Sequence, residues 1–103
     1  MEDFVEAAMV GELQPGEMKL LEVGDERIAL ANMHGTYYAF GDLCTHMECS
    51  LSDGSLEDNG VECPCHGAVF SLETGAVQEG PAEEPIVTYA VRVEGERILV
   101  GPA

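Results

Sequence analysis

Apolar and polar residues alternate along most of the chain, and the alternation sorts it into short extended runs. Residues 3–10 (Asp3-Phe4-Val5-Glu6-Ala7-Ala8-Met9-Val10) are rich in apolar side chains and predict a first strand, ended by Gly11. Residues 12–16 read as a connection, punctuated by Pro15-Gly16. Three strand-like runs follow, at residues 17–23, 26–33 and 36–40, separated by Gly24-Asp25 and His34-Gly35. Two-residue loops containing Gly are strong hairpin signals, because such turns need positive φ angles. The three runs therefore predict a β-meander, with His34 as a turn residue.

From residue 43 to residue 70 the composition shifts to Cys, Gly, Ser and Asp, with short apolar pieces such as Leu56 and Val61. Ser52-Asp53-Gly54-Ser55 and Glu57-Asp58-Asn59-Gly60 are turn clusters, the second ending in the hairpin dipeptide Asn-Gly. Short strands are expected to flank it, with Glu62-Cys63 leading into a loop. Thr74-Gly75 predicts a turn, and the two prolines of residues 80–85 argue against regular structure there. Residues 87–93 and 97–100 return to period-two patterning around Glu94-Gly95-Glu96, a closing hairpin. No segment sustains a helical period. The predicted fold is all-β: a base of antiparallel strands from residues 1–42 and 71–103, with a small subdomain inserted at residues 43–70.

Length and charge narrow the function classes. A chain of 103 residues makes one small domain. It has no run of eighteen apolar residues, and its start, Met1-Glu2-Asp3-Phe4, is acidic. The expectation is a cytoplasmic protein without membrane anchor or export signal. Twenty Asp and Glu against four Lys and Arg give a net charge of −16. Such a surface repels phosphates and argues against a nucleic-acid partner. It either simply solvates the protein or steers it towards a basic patch on a partner.

The chemistry lies in two short stretches, Cys44-Thr45-His46 and Cys63-Pro64-Cys65-His66. Each sets a thiol and an imidazole close together, and sixteen residues separate His46 from Cys63. Two Cys and two His are an ordinary zinc set, so a structural zinc module is one reading. Common zinc patterns pair Cys with Cys and His with His, whereas here each stretch is mixed. Cys-x-His is also short for two ligands of one tetrahedral ion.

The Cys-x-His and Cys-x-x-His arrangement resembles the Rieske iron–sulfur proteins. The resemblance implies that Cys44 and Cys63 hold one iron of a [2Fe–2S] cluster, and that His46 and His66 hold the other. It extends to the extra cysteines Cys49 and Cys65, and to Gly80-Pro81-Ala82, which looks like the family's proline loop over the cluster. In a reducing cytoplasm Cys49 and Cys65 would normally stay thiols. The resemblance instead places them on facing cluster loops, where many family members form a disulfide. The family's fold of antiparallel sheets with an inserted cluster-binding subdomain agrees with the patterning.

A cluster with four protein ligands and two bridging sulfides leaves neither iron an open position, so the implied chemistry is one-electron transfer rather than catalysis. Relatives that also catalyse oxygenation carry a second domain, for which 103 residues leave no room. The chain thus resembles the soluble ferredoxin branch. That branch implies a monomeric carrier between a flavin-containing, NAD(P)H-dependent ferredoxin reductase and a terminal oxygenase. A tightly bound Rieske subunit of another oxidoreductase is the alternative. Met47, Gly67 and Pro81 are expected either to dock a partner or to shield the cluster, with Glu48, Glu83 and Glu84 as an acidic rim.

The resemblance also bears on the reduction potential. In the high-potential respiratory branch, a Ser two residues after the second His ligand and a Tyr four residues after it donate hydrogen bonds to the cluster sulfurs. Here those positions are Ala68 and Phe70, whose side chains have no hydrogen to donate. Reduction adds negative charge, so missing donors disfavour the reduced state. Rieske centres span roughly −150 to +300 mV, and this one is predicted at the low end. Potentiometry on Ala68→Ser and Phe70→Tyr should show an upward shift for each and a larger one for the pair. A wild-type value well above zero, or an unmoved double variant, contradicts the prediction.

Overall fold

The computed structural model describes residues 3–23, 26–43, 49–57, 60–65, 67–80 and 84–102. In chain order the strands are β1 (Val5–Met9), β2 (Met18–Val23), β3 (Glu26–Met33), β4 (Thr36–Gly41), β5 (Ser55–Glu57), β6 (Gly60–Glu62), β7 (Val69–Ser71), β8 (Val77–Glu79), β9 (Thr88–Glu94) and β10 (Arg97–Gly101). They form two antiparallel sheets, one of six strands in the order β1-β10-β9-β4-β3-β2 and one of four in the order β5-β6-β7-β8. Among the described residues the only helical pieces are 3₁₀ turns at Val10–Glu12 and Leu51–Asp53. The all-β, antiparallel architecture is the one the alternation predicts.

Two details differ from expectation. The first strand stops at Met9, and Val10 enters the 3₁₀ turn, where its N–H donates to the Glu96 carbonyl (2.8 Å). The second sheet is completed only by β8, so it reaches Glu79 rather than ending at residue 70. A three-residue edge strand with a single apolar residue, Val77, is too short to carry a readable period. The turns expected at Gly24-Asp25 and Asp58-Asn59 lie outside the described residues.

The meander is held by a tight hairpin. Met33 pairs with Thr36, and His34 and Gly35 both take positive φ (54° and 90°), as a type I′ turn demands. Asn32 fixes this turn from beneath. Its buried amide donates to the Leu13 carbonyl and accepts from the Gly35 N–H, both at 2.8 Å. A buried amide without partners would cost about 1–3 kcal/mol, so these bonds decide where the turn and the 13–16 connection meet.

β3 organises the interior because both of its faces are buried from Ile28 to Met33. Side chains alternate across a strand. Ile28 and Leu30 join Ala8, Leu13, Ala39, Ile98 and Val100 in a core within the base. Ala29, Ala31 and Met33 enter a second core with Phe40, Leu51, Val61, Cys63, Ala68, Phe70 and Leu72. The small Ala29 and Ala31 leave room on that face for the large side chains of the second sheet. This second core is what attaches β5–β8 to the base.

Leu51, Val61, Phe70 and Leu72 are essentially fully buried there. Leu51→Ala is expected to lower unfolding free energy by about 2–5 kcal/mol. Val87→Ala, at a side chain 62% exposed, should change it by no more than about 0.5 kcal/mol. Denaturant titration of both variants checks the contrast; equal losses would contradict the assignment of the core.

Candidate iron–sulfur site

The expected site residues fall on two loops that leave the junction between the sheets. The first loop follows β4, and backbone pairing closes its base: Leu43 bridges to Ser50, and the Leu51 N–H donates to the Asp42 carbonyl (2.6 Å). The Asp42 side chain, with no solvent exposure, draws the same base together. Its carboxylate accepts hydrogen bonds from the Ser50 hydroxyl and the Ser52 N–H (2.9 Å), and pairs with the Arg27 guanidinium (3.2 Å). Burial pushes the Asp42 carboxyl up, but hydrogen bonds from Ser50 and Ser52 and the Arg27 charge outweigh it, leaving its pKa below the ordinary carboxylate value.

The second loop follows β6. The Cys63 N–H donates to the Ala68 carbonyl (2.8 Å), and the Gly67 N–H donates back to the Cys63 carbonyl (3.1 Å). Cys63 and Ala68 are buried, whereas Pro64 and Cys65 face solvent and Gly67 is half-buried with φ 77°. Gly54 sets where this loop begins, because its backbone packs directly on β6. A Cβ there would lie 2.0 Å from the Glu62 carbonyl oxygen, one residue before Cys63.

A third segment returns beside them. The Ile86 N–H donates to the Gly75 carbonyl (2.9 Å), and the Gly41 N–H to the Val87 carbonyl (2.8 Å). Gly75 takes φ 80°, and a Cβ on it would sit 2.2 Å from the Ile86 carbonyl oxygen, so only Gly admits this approach. The 84–87 segment is thereby tied both to β4 and to the turn after β7.

A disulfide joins the two loops. Cys49 and Cys65, sixteen residues apart in sequence, are covalently linked with their Cα atoms 6.4 Å apart. The Sγ atoms of Cys49, Cys63 and Cys65 lie within 4.8 Å of one another. Of the expected ligands, the structure describes Cys63; Cys44, His46 and His66 lie outside the described residues, as do Met47, Glu48, Pro81, Ala82 and Glu83. Glu84 is exposed. Ala68 and Phe70 are both fully buried in the same core as Cys63.

Sequence reasoning missed the Arg27–Asp42–Ser50–Ser52 network and the packing roles of Gly54 and Gly75. Gly41-Asp42 read only as an approach to the loop, and the serines only as turn residues. Partners 8 to 15 residues apart across a meander make no local pattern.

Short antiparallel strands present Cys63 on a loop at the junction of two sheets, and comparison with known proteins specifies the class. The sequence matches the Rieske [2Fe-2S] domain family over residues 3–90. The ferredoxin component of biphenyl 2,3-dioxygenase from Rhodococcus jostii is 43% identical over 90 residues, spanning 87% of this chain and 84% of that one. The ferredoxin of carbazole 1,9a-dioxygenase from Nocardioides aromaticivorans superposes with a TM-score of 0.92 at 31% identity, over 97% of this chain and 98% of that one. A ferredoxin seen in complex with the oxygenase of carbazole 1,9a-dioxygenase gives a TM-score of 0.89 at 31% identity, over 94% and 100%. The chain belongs to the Rieske [2Fe-2S] domain family, and its cofactor is a Rieske-type [2Fe–2S] cluster.

The disulfide gives a direct chemical test. Alkylation of the denatured protein, after anaerobic removal of the cluster, should modify Cys44 and Cys63 and leave Cys49 and Cys65 unmodified until a reductant is added. Four reactive thiols without reductant would contradict the covalent link.

Proposed function

We propose that this chain is a soluble ferredoxin that accepts single electrons from a flavin-containing, NAD(P)H-dependent reductase and passes them to a terminal oxygenase. The observation that carries the reading is the link between the two loops. His46 lies three residues before Cys49, and His66 directly follows Cys65, so the Cys49–Cys65 bond draws together the stretches that carry both imidazoles. Cys63 stands within 4.8 Å of that bond, and Cys44 is two residues before His46. Two thiols and two imidazoles on two facing loops fit a Rieske cluster, with Cys44 and Cys63 on one iron and His46 and His66 on the other. When bound, the cluster supplies one-electron redox chemistry.

The chain's residues hold the site and present it. The closed loop bases and the second core support the donor-bearing residues, while the domain itself binds no substrate and is not an enzyme. The carbazole ferredoxin seen with its oxygenase supports the choice of partner. On the same reading Met47, Gly67 and Pro81 serve to dock the partner or shield the cluster, and Glu48, Glu83 and Glu84, next to them in sequence, add the acidic charge. Every Lys and Arg of the chain lies within ion-pair distance of a carboxylate, and none occurs between Asp42 and Arg92. The cluster-bearing part is therefore uniformly anionic and suited to a basic docking patch. Among the described residues no helix is long and apolar enough to cross a membrane; a monomer working in the cytoplasm is the form this function needs.

His46→Ala and His66→Ala should each abolish the Rieske-type absorption spectrum, while His34→Ala, at the exposed hairpin turn, should retain it. Retention after loss of His66 would refute the ligand set. For the partner reading, the second-order rate of reduction by the reductase should fall as salt is raised, because screening acts within about 8–10 Å near physiological ionic strength. A rate indifferent to salt would remove steering from the account.

A further inference from the structure

Asp42 is the one charged side chain that is buried among the described residues. Charged groups are almost never fully buried unless paired, and this one accepts hydrogen bonds from Ser50 and Ser52 and pairs with Arg27. It also lies only two residues before Cys44 in the sequence, a short covalent span of the chain. Two other ion-pair carboxylates among the described residues, Glu12 and Glu94, are 47% and 45% exposed, where water and salt screen them. A buried charge keeps its influence over such a distance.

We propose that Asp42 is a fixed negative charge that sets the reduction potential of the cluster, and that Arg27 partly cancels it. This rests on the reading of Cys44 as an iron ligand. Reduction brings one electron to the site, and the Asp42 carboxylate opposes that gain. Asp42 thus adds to the absence of donors at Ala68 and Phe70 in favouring the oxidised state. Arg27 acts in the opposite sense: its side chain, 45% exposed, reaches the carboxylate from the solvent side. The carboxylate touches no partner or substrate; it acts as an electrostatic and positioning residue beneath the first loop.

The two members of one ion pair then predict shifts of opposite sign. Asp42→Asn preserves the shape and the hydrogen-bonding capacity towards Ser52 while removing the charge. It should raise the potential, with the equilibrium constant for reduction rising about tenfold, equivalent to about 59 mV for one electron. Arg27→Gln should lower the potential, and Arg27→Lys should stay near wild type. Glu94→Gln, at the exposed pair with Arg92 and Arg97, should leave it unchanged. The measurement is spectroelectrochemical titration of the holoprotein variants. A loosened loop would move Asp42→Asn and Arg27→Gln in the same direction, and that result, or no shift in either, overturns the proposal. Should Asp42→Asn fail to retain the cluster, Arg27→Gln against Arg27→Lys decides: a drop in the first alone supports the charge, and equal values refute it. A wild-type protein without a Rieske spectrum would reject the ligand reading itself, and this proposal with it.

Discussion

The structure depends on one hydrophobic junction. Strands of three residues, as in β5–β8, do not form a stable sheet alone, because small sheets in water need a packed face. That face is supplied by β3 and β4 through Ala29, Ala31, Met33 and Phe40, against which Leu51, Val61, Phe70 and Leu72 are buried. Burying side chains of this size contributes about 1.5–3 kcal/mol each, so several together outweigh the weak hairpins. Cys63 is a member of the same core. The position of this proposed cluster ligand is thereby fixed by the packing that holds the second sheet at all.

From that junction the loops are closed in the same manner. Backbone pairs fasten their bases at Leu43–Ser50 and at Cys63–Ala68, and the 84–87 segment is fastened at Gly75–Ile86. The Cys49–Cys65 bond then links the first two across the site. The first two fastenings flank the stretches that carry the proposed donors, so those stretches spring from closed roots. Preorganisation of this kind suits a carrier, whose metal geometry should change little between oxidation states. On the proposed reading, the acidic surface serves the meeting with a partner, and the buried Asp42 serves the driving force.

Much of this was legible in the sequence because it is local. Alternation revealed β2, β3, β4, β9 and β10 almost to the residue, and His34-Gly35 announced a turn that requires positive φ. The mixed Cys and His stretches pointed to the cluster through their resemblance to the Rieske proteins. What escaped is what depends on distant partners. The even and odd positions of β3 serve two different cores, which a run of apolar residues does not disclose. Asp42 gains its meaning only when Arg27, Ser50 and Ser52 meet around it, and Gly54 only when the Glu62 backbone lies against it. The end of the second sheet moved to Glu79 because β8 is an edge strand made by pairing rather than by pattern.

The central claim is that the two loops hold one cluster with chemically different irons, one carried by thiolates and the other by imidazoles. Mössbauer spectroscopy of isotopically enriched protein tests it most directly, since the two iron environments give separate signals. The account predicts two inequivalent sites in equal amounts, with the added electron of the reduced protein localised on the imidazole-ligated iron, where the ligands are neutral. Two equivalent thiolate-ligated sites, or protein that contains zinc in place of iron, would contradict it.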